Sequence, residues 1–254
     1  MQSRIESFYN SLADVYHLIY EDWDRSIARQ GRAIDELLKR TVGPGSLGIL
    51  DCACGIGTQT LGLAALGHHL TGSDLSTAAV ERARGEALKR GVDARFYVSD
   101  MATLTEMPTG RFDAVCALDN ALPHLSAGRL LKAAKSFARV LRPGGTFMAS
   151  LRDYDVLIEE RPASQVPSFF GPPGNRRIIH QVWDWKSEDR YEVHLYITTE
   201  TGEGWRSLHF VSEYRCLLRS EVDIVLCGAG FSKIEWQTPE TTGFYQPIVV
   251  ATLI

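Results

Sequence analysis

The chain has 254 residues, of which 44% are hydrophobic and 23% are charged, and its formal net charge at pH 7 is −4. This length allows one sizeable core plus an added element, and the acidic balance argues against a nucleic-acid enzyme, which usually carries a basic face. We expect a cytoplasmic protein, because no apolar run reaches the roughly 18 residues of a membrane span and no secretion signal is evident.

The first 45 residues combine an aromatic segment with a helix. Apolar residues recur at helical spacing over residues 27–38, and the helix is expected to stop before Pro44. The aromatic residues, Tyr9 and Tyr16 among them, allow two interpretations: they attach the segment to the core, or they form a lid over a bound ligand. The lid interpretation names Tyr20, Trp23 and Arg29 as ligand contacts.

The most informative stretch is residues 49–58, which read Ile-Leu-Asp-Cys-Ala-Cys-Gly-Ile-Gly-Thr. This order predicts a buried strand, a tight turn and a helix. Gly55 and Gly57 lack a Cβ atom and let a ligand approach the backbone closely, and the helix offers unpaired N–H groups beside it. A nucleotide-like cofactor is expected here. A dinucleotide fold would need a third glycine where Thr60 stands, and Asp51 would repel a pyrophosphate.

The next strand is predicted over residues 69–74 and ends in an acid. Asp74 lies about 20 residues after the glycine turn, where a carboxylate can accept hydrogen bonds from both hydroxyls of a ribose. Ser76 is predicted to cap a helix over residues 77–90. A third strand, residues 94–98, leads to Asp100 and Met101, which suit the amino group and the ring of an adenine.

A fourth strand over residues 112–118 runs into Asp-Asn-Ala-Leu-Pro-His at positions 119–124. A helix over residues 126–141 follows, and then a fifth strand over 146–151. Several strands of one alternating β/α series thus end in polar residues. Because ligands of open parallel sheets bind beyond the carboxyl ends of the strands, we expect these side chains to share one site.

Five motifs in this order resemble those of class I S-adenosylmethionine-dependent methyltransferases, over roughly residues 45–150. They are residues 51–57, Asp74, residues 99–101, residues 112–115 (Phe-Asp-Ala-Val) and residues 141–145 (Leu-Arg-Pro-Gly-Gly). The resemblance implies an α/β fold with a doubly wound, seven-stranded Rossmann-like sheet. In such a sheet the strands are mostly parallel and the last one is antiparallel.

The same resemblance implies that S-adenosylmethionine is the cofactor and S-adenosylhomocysteine the product. Gly55 and Gly57 are implied to line the methionine part, Asp74 to bind the ribose, and Asp119 to lie near the sulfonium. The complete set of implied cofactor contacts is Tyr20, Trp23, Arg29, Asp51, Ala53, Gly55, Gly57, Asp74, Leu75, Asp100, Met101 and Asp119.

After the fifth strand the pattern changes. Residues 162–175 contain four prolines and two glycines and are predicted to form an irregular loop. Three strands are expected to follow, at 177–185, 191–199 and 205–217, as a small antiparallel lid sheet. The chain is then expected to return through a helix at 220–229 and a closing hairpin, 231–237 with 247–253. The predicted units are therefore an aromatic helical lid segment (1–44), the cofactor-binding core (45–154), the lid insertion (155–217) and the completion of the core sheet (218–254).

This insertion resembles the lid sheet of glycine N-methyltransferase-like and amino-sugar N,N-dimethyltransferase-like enzymes. The resemblance implies methyl transfer to a small molecule, foremost to an amine or amino acid nitrogen as in the glycine/sarcosine group. His124 is the candidate general base, supported by Asn120. The candidate substrate-binding residues are Asn120, Arg152, Tyr154 and Arg177.

Other functions stay open at this stage. The acceptor atom can be a hydroxyl or carboxylate oxygen, and a nucleotide-dependent oxidoreductase or a non-catalytic cofactor-binding protein would also need a glycine turn. Cys52 and Cys54 have the spacing C-x-C without a second pair of ligands, so no metal site is expected. We expect a monomer or homodimer whose partner is a small molecule, with neither nucleic acid nor membrane bound.

Overall fold

The computed structural model describes residues 2–254, with side chains from residue 4 onward, and contains two β-sheets. The helices are α1 (Gln2–Leu12), α2 (Trp23–Thr41), α3 (Thr58–Ala65), α4 (Thr77–Arg90), α5 (Ala127–Val140), α6 (Tyr154–Glu160), α7 (Arg219–Gly228) and α8 (Pro239–Thr242). The strands are β1 (Gly48–Asp51), β2 (His69–Asp74), β3 (Ala94–Val98), β4 (Phe112–Ala117), β5 (Leu141–Ser150), β6 (Ser164–Phe170), β7 (Arg177–Trp185), β8 (Arg190–Thr201), β9 (Gly204–Arg215), β10 (Phe231–Gln237) and β11 (Ile248–Leu253). Short 3₁₀ turns lie at Tyr16–Ile19 and Leu122–His124.

The large sheet has seven strands in the order β10-β11-β5-β4-β1-β2-β3. Neighbouring strands are parallel except at β11, which is antiparallel to both β5 and β10. The expected doubly wound sheet with an antiparallel last strand is therefore confirmed. The order reverses on either side of β1, which pairs with β2 and β4. In such sheets ligands bind at this reversal, beyond the carboxyl ends of the strands.

Local chemistry explains why α2 and α4 begin and end where they do. The Asp22 side chain accepts a hydrogen bond from the Arg25 amide at the start of α2, and the Ser76 hydroxyl accepts one from the Ala79 amide at the start of α4. Helix α4 ends at Gly91, whose left-handed conformation (φ 63°) suits a residue without Cβ. The Ser76 cap and the bounds of α4 agree with the prediction.

The small sheet has four strands in the order β6-β7-β8-β9, all antiparallel. The prediction of three strands after an irregular loop was therefore wrong at β6. This strand contains Pro167, and its register against β7 shifts between Gln165 and Ser168. Because β6 is an edge strand with an irregularity at the proline, the missing N–H group breaks no ladder. The four-stranded unit is called the lid sheet below.

Smaller differences occur around the lid sheet. Helix α6 was not predicted, because no element was expected between the fifth strand and the loop at 162–175. Helix α8 was also missed, and β5 begins at Leu141 rather than at Thr146. None of the described helices is long and apolar enough to cross a membrane.

Two contacts fix the N-terminal helices on the rest of the molecule. Phe8 and Leu12 of α1 pack against Ile179, Leu195 and Ile197 on the inner face of the lid sheet. Helices α2 and α3 meet at two glycines, Gly31 and Gly62: a Cβ atom on Gly62 would lie 2.4 Å from the Ile27 carbonyl oxygen. Helix α1 is therefore held against the lid sheet, and helix α2 is held against α3.

Candidate active site

A cavity of about 330 Å³ lies beyond the carboxyl ends of β1, β2 and β4 and is called the turn cavity. The glycine turn forms one wall, where Gly55 has φ 51° and Gly57, the N-terminal cap of α3, has φ 94°. Of the predicted site residues, those that line this cavity are Tyr20, Ala53, Gly55, Asp74, Leu75, Asp100, Met101, Asp119 and His124. Its volume lies within the usual range of ligand pockets, about 300–1,000 Å³.

Asp74 connects the end of β2 to the glycine turn. Its carboxylate accepts hydrogen bonds from the amides of Gly55 and Ser76, both at 2.9 Å. Burial raises the pKa of this carboxyl, and the two amide donors partly oppose the shift. A buried carboxylate that borders a cavity and keeps free acceptor positions is suited to bind ligand hydroxyl groups.

Asp51 and Gly57 belong to the turn but do not line the cavity. Asp51 is 1% exposed, and its carboxylate accepts a 2.7 Å hydrogen bond from the Thr60 hydroxyl. Burial raises the pKa of Asp51 to about 6. Thr60 thus occupies the position of the third glycine of a dinucleotide motif and instead stabilises the acid behind the turn.

Asp100 and Met101 border the turn cavity after β3. The Asp100 carboxylate accepts hydrogen bonds from the Arg129 guanidinium at 2.7 and 2.8 Å and from the Ala102 amide at 2.9 Å. Arg129 therefore fixes the orientation of this carboxylate. The Met101 side chain supplies a polarisable apolar surface beside it.

A second cavity, of about 840 Å³, lies under the lid sheet and is called the lid cavity. The predicted residues that line it are Tyr20, Arg29, Asp119, Asn120 and Arg152. The two cavities share four lining residues, Tyr9, Tyr16, Tyr20 and Asp119. A ligand in one cavity therefore meets a ligand in the other at this group.

The four residues shared by the two cavities, Tyr9, Tyr16, Tyr20 and Asp119, are called the junction below. Its acidic residue lies on a strained turn after β4. Asp119 and Asn120 both have left-handed backbones, with φ of 56° and 62°. Such conformations cost energy outside glycine and concentrate at functional sites. The Asp119 amide donates to the Ser150 hydroxyl, and the Asn120 amide to the Ser150 carbonyl. The neighbouring strand β5 thus holds the turn in place.

The Asp119 side chain is presented to the junction by two tyrosines. Its carboxylate accepts hydrogen bonds from the hydroxyls of Tyr16, at 3.3 Å, and of Tyr245. Burial raises the pKa of Asp119, while the hydrogen bond from Tyr245 and the charge of Arg152 act in the opposite direction. The turn thus places an acidic group where the two cavities meet.

His124 lies beside the same junction. Its Nε2 atom shares a 2.9 Å hydrogen bond with the Tyr9 hydroxyl, and its ring packs on Tyr214 with centroids 4.3 Å apart. Burial lowers the pKa of His124 to about 4, so the imidazole is neutral at pH 7. A neutral imidazole can accept the proton of the Tyr9 hydroxyl, and Tyr9 in turn faces both cavities.

Arg152 supplies a positive group of the lid cavity, which Arg29 also lines. Its guanidinium donates to the Tyr191 hydroxyl at 2.8 Å and to Gln181 at 3.3 Å. It also lies over the rings of Trp183 and Tyr214, 4.7 and 5.2 Å from their centroids. Within the described part of the chain, the side-chain hydrogen-bond partners of Arg152 are neutral, so its guanidinium can also attract a ligand anion.

Besides Asp51 and Gly57, three more predicted contacts lie outside both cavities. The Trp23 indole donates to the Thr58 hydroxyl and lies under the guanidinium of Arg90, so it anchors α2 to the turn. Tyr154 is 1% exposed and shares hydrogen bonds with Asn120 and Tyr191. Arg177 donates to the carbonyls of residues 18, 20 and 21 and so ties the N-terminal segment to the lid sheet. Their positions correct the expectation of direct ligand contact.

Sequence reasoning missed several residues of the junction. Tyr9 and Tyr16 stand in the aromatic segment, but the pattern could not separate ligand contact from packing. Tyr245 lies in the short connection before β11, where no local signal points to a site. It reaches Asp119 only because β11 pairs with β5.

Comparison with known proteins agrees with this geometry. Residues 49–145 match the family described as Methyltransferase domain. The chain is 31% identical to a glycine/sarcosine N-methyltransferase from Halorhodospira halochloris over 67% of this chain and 63% of that protein. It is 36% identical to a ubiquinone biosynthesis O-methyltransferase from Alkalilimnicola ehrlichii over 38% of each chain. The matched region thus spans less than two thirds of these two relatives.

The fold itself has solved counterparts. An amino pentose methyltransferase from Micromonospora echinaspora, solved with S-adenosylmethionine bound, superimposes with a TM-score of 0.76. Sequence identity is 20%, and the superposition covers 95% of both chains. This likeness shows that the seven-stranded sheet and the lid sheet occur together in a methyltransferase.

The chain belongs to the class I S-adenosylmethionine-dependent methyltransferases. S-adenosylmethionine is accordingly its cofactor. The turn cavity fits this molecule, since it combines the carboxylates of Asp74 and Asp100 with the apolar surfaces of Ile56, Leu75 and Met101. Such a lining has acceptors for the hydroxyl and amino groups of an adenosine and a surface for its base.

Proposed function

We propose that this protein transfers a methyl group from S-adenosylmethionine to an amine nitrogen of a small molecule that also carries an anionic group. The turn cavity holds the methyl donor and the lid cavity holds the acceptor. The observation that carries the proposal is the pair of opposite charges along the lid cavity, Asp119 at the junction and Arg152 beyond it. This order of charges suits an amino acid or a related zwitterion.

The junction favours a positively charged group. The carboxylate of Asp119 and the rings of Tyr9, Tyr16 and Tyr20 surround it, and both a carboxylate and aromatic faces attract cations. An acceptor amine arrives mostly as an ammonium, so this setting binds it with its nitrogen toward the turn cavity. When bound, S-adenosylmethionine supplies a methyl group on a positively charged sulfur.

An ammonium must lose a proton before its nitrogen can act as a nucleophile, and the group at the junction that can take this proton is the Asp119 carboxylate, whose pKa is raised by burial. We propose that the Tyr9 oxygen, held by its hydrogen bond to His124, accepts a hydrogen bond from the amine and orients its lone pair. With a pKa of about 4, His124 is a weak base, so its main role is to position Tyr9. This proposal differs from the prediction that His124 itself is the general base.

Asn120 contributes by holding the walls of the lid cavity. Its side-chain oxygen accepts from the Arg152 amide at 3.1 Å, and its nitrogen donates to Tyr154 at 2.9 Å. These bonds use both ends of the amide, so Asn120 is proposed to be a positioning residue. The anionic group of the acceptor is proposed to bind the guanidinium of Arg152.

The lid cavity is much larger than glycine requires, because about 840 Å³ accommodates a drug-sized ligand. We therefore propose an amine larger than glycine, although a glycine/sarcosine enzyme is among the relatives. Enclosure between α1, the lid sheet and the large sheet excludes water and keeps the reacting groups in register. Such orientation can supply on the order of 7–11 kcal/mol of a barrier.

A hydroxyl acceptor is the second candidate. It is favoured by the ubiquinone biosynthesis O-methyltransferase among the relatives and by the neutral His124, which can accept a proton through Tyr9. A phenol or alcohol would place its oxygen at the junction in the same way. Under this alternative the acceptor brings no cation of its own to the carboxylate and aromatic rings at the junction, which is why we favour the amine.

The decisive experiment offers the purified chain S-adenosylmethionine and a matched acceptor panel. For each amino acid, the panel also contains its amide and the hydroxy acid with the same carbon skeleton. We expect S-adenosylhomocysteine to form, and an N-methyl product to appear by mass spectrometry, with the amino acids ahead of their amides. If only the hydroxy acids were methylated, the protein would be an O-methyltransferase and the proposal of N-methylation would be wrong.

The role of Arg152 has a matched control on the lid sheet. Arg152→Met should raise the acceptor KM at least about tenfold, the loss of one charge-assisted hydrogen bond, and leave the affinity for S-adenosylmethionine unchanged. Arg206, an exposed residue of β9, provides the control Arg206→Met. If both variants raised the acceptor KM equally, the conclusion that Arg152 binds an anionic group of the acceptor would be wrong.

We also propose that the protein works in the cytoplasm. All five cysteines are free thiols, and four of them are buried. Free buried thiols are typical of compartments in which cysteines stay reduced.

A further inference from the structure

The outer face of the lid sheet carries a group of potential metal ligands, apart from both cavities. Along β8 the side chains alternate: Val193 and Leu195 point into the lid cavity, whereas Glu192 and His194 face the opposite side. On β7, Asp184 stands directly across from Glu192 in the antiparallel register. Asp184, Glu192 and His194 therefore lie side by side on two rigidly paired strands.

The two distances from His194 match those of a small tetrahedral metal site. His194 Nε2 lies 3.3 Å from Asp184 Oδ2 and 3.4 Å from Glu192 Oε1. All three ligand atoms lie within 4.8 Å of one another. In a tetrahedral zinc site, bonds of about 2.0–2.1 Å put neighbouring ligand atoms about 3.3–3.4 Å apart. The two distances from His194 thus need almost no change to accept an ion.

A second histidine supports the first. His194 Nδ1 and His209 Nε2 share a 2.9 Å hydrogen bond. His209 is held in turn by the ring of Tyr196, since their planes are 9° apart and their centroids 4.5 Å apart. Metal-binding histidines generally form such a bond with their other ring nitrogen, which fixes the tautomer and leaves the ligating nitrogen facing the ion.

The ammonium group of a nearby lysine already lies beside the two carboxylates. Lys186 Nζ lies 3.3 Å from Glu192 Oε1 and 3.7 Å from Asp184 Oδ2. The ammonium is half exposed and flexible, so it can leave without disturbing the strands. It shows that the two carboxylates share a positive charge, and it would compete with a metal ion for them.

We propose that Asp184, Glu192 and His194 bind a divalent transition-metal ion of the zinc type, with water as the fourth ligand. One imidazole and two carboxylates suit zinc better than the all-oxygen sites of magnesium or calcium. The ion connects β7 to β8 on the face opposite the acceptor. Its effect is to stiffen the lid sheet, and it takes no part in methyl transfer.

The test is calorimetric titration of the untagged full-length protein with Zn²⁺, together with thermal unfolding at each concentration. We expect one ion per chain and an unfolding temperature that rises with Zn²⁺. His194→Gln should abolish both effects. His209→Phe keeps the ring stack but loses the hydrogen bond, and should weaken binding by about 10- to 100-fold.

Two further variants separate this site from non-specific binding. Lys186→Met removes the competing ammonium and should tighten zinc binding. His69→Gln removes an exposed histidine at the start of β2, far along the chain from the lid sheet, and should change nothing. The proposal is overturned if neither the natural protein nor the Lys186→Met variant binds Zn²⁺. It is equally overturned if His69→Gln weakens binding as much as His194→Gln does.

Discussion

The Tyr9 hydroxyl lies 2.9 Å from His124 Nε2, where α1 reaches the connection that follows β4. The two residues are 115 positions apart, and the contact forms only when the N-terminal segment is in place over the turn cavity. The tyrosine that lines both cavities is thus supplied by the N-terminal segment, while the connection after β4 supplies the histidine bonded to it.

Tyr9→Phe should lower kcat about 10-fold, because the variant loses the hydrogen bond that orients the lone pair of the acceptor. The affinity for S-adenosylmethionine should stay within about twofold, because the ring and its packing remain. Steady-state kinetics and calorimetry measure the two quantities separately. Tyr97→Phe, an exposed tyrosine on β3, is the control. A Tyr9→Phe enzyme with an unchanged kcat would leave the Tyr9–His124 pair without a role in orienting the acceptor.

Acid should destabilise the protein through His124. The pKa of this residue falls from an unfolded value near 6.5 to about 4 in the folded state because of burial. Between these values the unfolded chain binds the proton and the folded chain does not, so stability is complete above pH 6.5 and is lost as pH falls toward 4. The loss amounts to about 3 kcal/mol.

Denaturant unfolding of the natural protein and of His124→Asn, followed from pH 7.5 to pH 4, checks this linkage. The variant should start less stable and should lose about 3 kcal/mol less over this range. Parallel curves for the two proteins would show that His124 is protonated equally in both states.

Asp74→Asn should weaken S-adenosylmethionine binding about 10- to 100-fold, since hydrogen bonds to a charged group contribute about 1.5–3 kcal/mol each. The amide keeps one acceptor oxygen for the Gly55 or Ser76 amide, so the turn should hold. Asp93→Asn, at an exposed site before β3, controls for loss of charge. Unchanged affinity in Asp74→Asn would remove Asp74 from the cofactor site.

The parts of the fold that sequence predicted well are those with local signals. Strand β2 and helix α4 have the predicted bounds because a terminal acid, a serine cap and a C-terminal glycine mark them. Strands β7 and β10 were also placed correctly from their runs of β-forming residues. Strand β6 was missed because its proline is tolerated only at a sheet edge, and the edge is not visible in the sequence.

The residues of the candidate site can likewise be divided into those that local sequence signals predicted and those that they did not. Gly55, Asp74, Asp100 and Met101 follow strands of the large sheet, and the resemblance of ordered motifs was enough to predict that they share a cavity. Arg177 and Tyr154 were misjudged because a charged or phenolic side chain near a strand end can face either a ligand or the backbone of a distant segment. Only the three-dimensional packing distinguishes these cases.

Arg177 is expected to act on the N-terminal segment rather than on the acceptor. Its guanidinium donates to the carbonyls of Leu18, Tyr20 and Glu21 at 2.9, 2.6 and 2.7 Å. Arg177→Met should therefore speed amide hydrogen exchange in residues 15–22 and speed release of S-adenosylmethionine, with Arg206→Met as the control. A raised acceptor KM with unchanged exchange would restore the original prediction that Arg177 binds the acceptor.

Gly62→Ala tests the contact between α2 and α3. Alanine normally stabilises a helix by about 1 kcal/mol relative to glycine, but here the new Cβ would lie 2.4 Å from the Ile27 carbonyl and 3.0 Å from Gly31 Cα. Since backbone atoms cannot move aside, we expect a net loss of about 1–3 kcal/mol in denaturant unfolding. In α4, Gly85 has open space where a Cβ would stand, so Gly85→Ala should stabilise the protein instead. If both variants gained stability, α2 and α3 would have room to separate. The close approach at Gly31 and Gly62 would then not be what holds α2 beside the glycine turn.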